Sequence, residues 1–122
     1  MKLVVILGSL VMACGPALSA DQPKRQVLAG HFFLYSGEIG DWAAPKPKDT
    51  KLFLELEGAA AQQLYAALGA ALNQPTEDAN VMSRARGDLS CTFDKSAKAE
   101  AAYACYTGLD LKTGKSVNST VE

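Results

Sequence analysis

The chain has 122 residues, of which 48% are hydrophobic and 20% charged, and its formal net charge at pH 7 is −1. With 12 Lys and Arg against 13 Asp and Glu it lacks the basic footprint of a nucleic-acid binder, and it has no basic amphipathic helix for a membrane surface. The length allows one domain, and a mature chain of about 100 residues buries roughly 60–65% of its unfolded surface, which makes a thin core.

The first segment reads as a secretory signal. Met1-Lys2 supplies a positive end, and LVVILGSLVMA at 3–13 is apolar apart from Ser9. This run falls short of the roughly 20 apolar residues that span a bilayer. Small residues follow it, as a cleavage site requires. Two cuts compete. Ala17-Leu18-Ser19 and Leu18-Ser19-Ala20 suit ordinary signal peptidase, with Pro16 ending the apolar helix, whereas Val11-Met12-Ala13-Cys14 resembles a bacterial lipobox in which Met12 is a poor fit. The ordinary cut, giving a signal at 1–20 and a single domain at 21–122, is preferred. Loss of Lys2 then lowers the basic count to 11 against 13 acids, a formal charge of −2. Either cut removes Cys14 from the pairing problem, by discarding it or attaching lipid to it. Cys91 and Cys105 remain, and two cysteines in an exported chain make a disulfide, whereas two thiols with a single histidine make a poor metal site.

In the mature chain, 21–25 is polar and reads as a frayed start. HFFLY at 31–35 suits a strand closed by Ser36-Gly37, and EIGDWAAPKPKDT at 38–50 reads as a loop, because Pro45 and Pro47 remove backbone donors. LFLELE at 52–57 alternates, with three leucines on one face and Phe53, Glu55 and Glu57 on the other. After Gly58, AAAQQLYAALGAALN at 59–73 is rich in helix formers, and Leu64, Leu68 and Leu72 form one stripe with Ala61 and Tyr65 alongside. Its alanines allow close approach to the leucine face of 52–57. Residues 74–88 read as a connection with at most one turn of structure. Strands are expected at 89–94 and 102–111, with Cys91 opposite Cys105, Phe93 opposite Tyr103 and Leu89 opposite Thr107. Their Cα atoms should lie about 4.5 Å apart if the cysteines form a non-hydrogen-bonded pair. Lys112-Thr113-Gly114-Lys115 looks like a hairpin turn, followed by a last edge strand at 116–121. The expected fold class is therefore α+β: a small antiparallel sheet of four to five strands packed on one main helix, with one disulfide.

Chemistry-bearing residues are sparse. His31 is the sole histidine and has no Ser, Cys or carboxylate beside it in sequence, so it reads as an ordinary strand residue. The run from Gly108 to Ser116 mimics a phosphate-binding loop, but five residues separate Gly108 from Gly114 where that motif needs four, and too little chain follows for its helix. Arg86-Gly87-Asp88 spells an adhesion tripeptide yet fits a plain turn. Asn118-Ser119-Thr120 matches a glycosylation sequon. Glu55 and Glu57, about 7 Å apart along a strand, fit a solvated face. Trp42 is the sole tryptophan, in a proline-flanked loop with Ile39, Asp41 and Lys46 near it, and tryptophans anchor many binding surfaces. The competing reading of Trp42 is a cap over one end of the core.

Leu54-Glu55-Leu56-Glu57-Gly58-Ala59-Ala60-Ala61-Gln62-Gln63-Leu64-Tyr65, then Ser90-Cys91, then Tyr103-Ala104-Cys105, resembles small exported bacterial proteins of unknown function. The resemblance covers about half of the mature chain. It implies an envelope location and one disulfide, and it transfers no catalytic residue.

The expectation is a non-enzymatic periplasmic or secreted protein that binds another protein or an envelope component, in the manner of an inhibitor or immunity protein, through Trp42, Ile39, Asp41 and Lys46. No cofactor, metal or nucleic acid is expected, and membrane attachment only if Cys14 is lipidated. The alternative is a small-molecule or lipid-binding domain, which would need a cavity between helix and sheet.

Overall fold

The computed structural model describes residues 22–119. The expected signal at 1–20, the choice between cuts and the lipidation of Cys14 lie outside the described residues. Residues 22–28 have no regular structure. The chain then builds β1 (Ala29–Glu38), β2 (Asp41–Ala43) and β3 (Lys51–Glu57). Helix α1 (Gly58–Leu68), a 3₁₀ turn (Ala70–Leu72), β4 (Gln74–Pro75), β5 (Val81–Arg86) and β6 (Leu89–Asp94) follow. A second 3₁₀ turn (Ala99–Ala102), β7 (Tyr103–Asp110) and β8 (Ser116–Val117) complete the order. Among the described residues the strands form one eight-stranded sheet in the order β2-β1-β3-β7-β6-β5-β4, with β8 pairing β7. Every pairing is antiparallel.

One helix on an antiparallel sheet with one disulfide is the expected architecture, but eight strands replace the expected four to five. The additional strands come from segments read as connections. The 38–50 stretch contributes β2, because Glu38 pairs with Asp41 across a tight turn and β1 runs through Ser36-Gly37 instead of stopping there. The 74–88 stretch contributes β4 and β5. Gly87, with φ of 60°, allows a two-residue hairpin turn, so Arg86 pairs with Leu89 and the adhesion-like tripeptide is the bend of a hairpin. Helix α1 is shorter than the sequence suggested. Gly69 takes φ of 90° and diverts the chain into the 3₁₀ turn, taking Leu72 off the helical stripe.

The β6–β7 register agrees with expectation where the two pair directly: Cys91 is opposite Cys105 and Phe93 is opposite Tyr103. The two cysteines are joined in a disulfide with Cα atoms 4.0 Å apart. Direct β6–β7 pairing ends at Ser90 with Tyr106, and β8 continues along the same side of β7 at Gly108 and Leu109. The turn between β7 and β8 forms as read, closed by the Asp110 amide donating to the Lys115 carbonyl at 2.8 Å.

Period-two alternation divides the sheet into two faces. On one, Leu56, Cys91 and Cys105 pack with Ala61 and Tyr65 of α1, and Leu54, Leu64, Leu68, Leu89, Phe93 and Tyr103 surround them. The Cys105 sulfur lies 3.5 Å from the Ala61 carbonyl oxygen, so the disulfide sits directly beneath the helix. Alanine at 61, with no exposed surface, makes this approach possible. From β5, Arg84 reaches under the helix end. Its guanidinium lies 3.9 Å from the Tyr65 ring centre, donates to the Tyr65 carbonyl at 2.8 Å and donates to Asn73 Oδ1 at 2.6 Å. It supplies the cation that the last turn of α1 lacks.

Candidate functional site

On the face away from α1, aromatic side chains from β1, β2, β3 and β7 form a cluster. Phe33 stacks on Phe53 at 4.6 Å between ring centres, Trp42 meets Phe33 edge-on at 4.8 Å, and Tyr106 lies 6.0 Å from Phe53. This arrangement buries Tyr35 and Phe53, so Phe53 does not share the solvated face expected for its strand neighbours. Trp42 is held by the Gly37–Trp42 register of the β1–β2 hairpin, and it lies over the cluster while 47% of its surface stays open. Cap and partly exposed surface residue are both visible in it.

The other residues expected to accompany Trp42 are divided between two turns. Ile39, half-buried, and Asp41, exposed, belong to the β1–β2 hairpin, whereas exposed Lys46 sits in a separate turn closed by backbone bonds between Lys46 and Asp49. That second turn is anchored to the sheet. Asp49 accepts the Gly37 amide at 2.8 Å and pairs with the Lys51 ammonium, which also donates to the Gly37 carbonyl at 3.1 Å. The Lys51 hydrogen bond, aided by the Gly37 amide, holds the Asp49 carboxyl below its ordinary range.

Further along the same face, His31 and Tyr106 flank Glu55 on the neighbouring strands. His31 Nδ1 lies 2.9 Å from Glu57 Oε1. One ligand-capable atom from each of His31, Glu55 and Glu57 falls within 4.8 Å of the others. Burial pushes the Glu55 carboxyl up, as do a hydrogen bond shared with Glu57 and repulsion from it, while His31 pulls the other way. Burial, then the charges of Glu55 and Glu57, push the Tyr106 hydroxyl up as well. In sequence His31 has no carboxylate beside it and a distant partner stays open, because the contact depends on a cross-strand register between residues 31 and 55. The strong aromatic pattern of 31–35 was a sign that β1 pairs closely, but it did not identify the partner strand.

The helix-bearing face is incompletely covered. Helix α1 packs over the end marked by Leu56, Cys105 and Cys91. Toward the other end, Leu34 pairs with Leu52 and Leu52 with Leu109, and Phe32 pairs with Leu54, so these side chains share the helix-bearing face. Phe32 is 68% exposed and Leu34 is 42% exposed. Among the described residues, the strand edge beside them is also open. Along Ala29 to Tyr35, β1 pairs with β3 on one side, while β2 covers the other side only from Ser36 to Glu38. The far edge differs: β4 covers Met82 and Ser83 of β5, and the stretch of β5 beyond it carries Arg84 and Arg86. Charged side chains are a common means of blunting an edge. Phe32 and Leu34 were inside the strand read from sequence but were not singled out. Apolar side chains at both parities of HFFLY were the available signal, since a sheet with one covered face needs only one apolar parity.

A groove of about 290 Å³ lies between the N-terminal segment and α1, lined by Gln26, Val27, Leu28, Leu56, Ala60, Gln63 and Leu64. The Gln26 and Gln63 amides hydrogen-bond reciprocally across it at 3.0 and 2.7 Å. No described helix is long and apolar enough to cross a membrane. Comparison with family models, curated proteins and solved structures finds no match.

Proposed function

We propose that this protein is a non-enzymatic, exported binding module of the bacterial envelope, periplasmic or secreted, that engages another protein by adding one of its strands to the free edge of β1. The observation that carries the reading is the edge from Ala29 to Tyr35, which no described strand pairs, flanked by exposed Phe32 and Leu34. Strand addition satisfies the open backbone groups of an edge, and apolar side chains of the partner cover the neighbouring surface. The disulfide supports export, because such bonds persist in oxidising compartments. The same setting is implied by the resemblance to small exported bacterial proteins. Trp42, Ile39 and Asp41 belong to the hairpin adjoining this edge, so they would form the partner's second contact, with Lys46 at the periphery.

The test is photocrosslinking in the producing cell, with the reactive side chain placed at position 32, 34 or 42, or at exposed Asn80 as the control. Discrete adducts from 32 and 34, absent from 80, are expected. Phe32→Lys and Leu34→Lys should abolish adducts formed from 42 while changing stability by no more than about 0.5 kcal/mol, as exposed substitutions do. Equal yields at all positions, or adducts that survive both lysines, would overturn the reading. Export is checked separately by an intact mass that begins near Asp21 or at a lipid-modified Cys14.

A further inference from the structure

The geometry points to a divalent transition-metal site formed by His31, Glu55 and Glu57 on the sheet face opposite the helix. This goes beyond the binding reading above, which rests on the backbone edge of β1 and on Phe32 and Leu34 of the helix-bearing face; here the donors are side chains on the opposite face, and the two surfaces meet at His31, whose backbone belongs to that edge. It also departs from the expectation, drawn from the cysteines and the lone histidine, that the chain holds no metal.

Three features favour a cation over a plain solvated patch. The donor set is mixed, one imidazole with two carboxylates, which suits zinc and its first-row neighbours better than magnesium or calcium, whose sites are built from oxygen alone. The donors also stand on paired strands, with His31 opposite Glu55 and Glu57 two residues further along β3. Backbone pairing therefore holds their Cα atoms in place, and only side-chain rotation is left to complete a site. The third feature is charge. The residues paired with Glu55 and Glu57 across both neighbouring strands are His31, Tyr106, Ala29 and Ala104, so no Lys or Arg stands in register to neutralise the two carboxylates.

Distances are compatible with coordination. Zinc–nitrogen and zinc–oxygen bonds of about 2.0–2.2 Å place tetrahedral donors about 3.4 Å apart. The His31–Glu57 contact is already 2.9 Å, and the widest separation in the trio is within 4.8 Å. Closure thus requires side-chain movements on the order of 1 Å. Three protein donors leave at least one coordination position open to water or to an oxygen or nitrogen donor from a bound molecule.

The experiment is calorimetric titration of the oxidised exported chain with zinc chloride, alongside amide and imidazole NMR spectra. Saturation at one zinc per chain is expected, with the largest shifts at His31, Glu55, Glu57 and Tyr106. His31→Ala and Glu57→Gln should each weaken binding by about tenfold or more while the dispersed amide spectrum of the fold is retained. Zinc binding unchanged in His31→Ala, or no saturation up to roughly 1 mM, the limit of weak specific binding, would overturn the proposal. Phe32→Lys should bind zinc like the parent chain, which separates failure of this site from failure of the docking surface.

Discussion

Glu55 is held between groups that act on its proton in opposite directions. Burial and the neighbouring Glu57 favour the neutral acid, whereas His31 favours the carboxylate, and the net result is a carboxyl raised above its ordinary value of 4.5. The folded chain therefore binds this proton more tightly than the unfolded chain does. Stability from this source is complete below pH 4.5 and is lost as pH rises through the folded value. Glutamine mimics the protonated acid without titrating. Glu55→Gln should accordingly melt at a higher temperature than the parent chain at pH 7, and the gap should close below pH 4.5. Calorimetry at the two pH values checks this in metal-free buffer, and an equal gap at both would refute the account.

Arg84 shows how one strand secures an element that its own sequence leaves unfinished. Helix α1 has no basic residue in its last turn and no side-chain cap at its start, and its eleven residues are too few for independent stability. The Arg84 guanidinium stacks on Tyr65 and hydrogen-bonds both the Tyr65 carbonyl and Asn73. Arg84→Ala should cost about 1–3 kcal/mol, combining a charge-assisted hydrogen bond with a cation–π contact. Urea unfolding of the variant measures it, and a loss comparable to that of Arg86→Ala would show that the contacts add nothing. Nothing in the sequence of 74–88 announced this role, because VMSRAR is a weak strand pattern until β6 pairs with it. What could be read were elements with a self-contained signal: the alternation of LFLELE, the alanine-rich helix, and the cysteine register that paired Phe93 with Tyr103. Two-residue and three-residue strands such as β4 and β2 have no pattern of their own and exist only through their neighbours. The candidate sites divide in the same way. Trp42 was visible as a lone tryptophan, but the His31–Glu57 contact and the free edge of β1 are properties of pairing, which a linear reading reaches only after the strand order is known.

At the scale of the molecule, a sheet covered, among the described residues, by a single short helix has little apolar volume to hold it closed. The disulfide occupies the centre of what there is: Cys91 and Cys105 have no exposed surface and pack with Leu56, Ala61 and Tyr65. It joins adjacent central strands, β6 and β7, across a sequence separation of 14 residues. A loop of this length contributes about 3 kcal/mol in the chain-entropy account, a large share of the roughly 5–15 kcal/mol typical of a domain. The double substitution Cys91→Ala with Cys105→Ala should therefore lower unfolding free energy by about 3 kcal/mol or more, since it also removes two buried sulfurs. Urea denaturation separates the possible causes. Removing the crosslink lets the unfolded chain expand, so the slope against urea should rise together with the loss of stability. A loss below about 1 kcal/mol with an unchanged slope would mean that pairing of β6 with β7, rather than the bond, holds the centre of the sheet. A loss large enough to unfold the chain would make oxidation a condition of the fold, and with it of the β1 edge and the cross-strand register that brings His31 to Glu57.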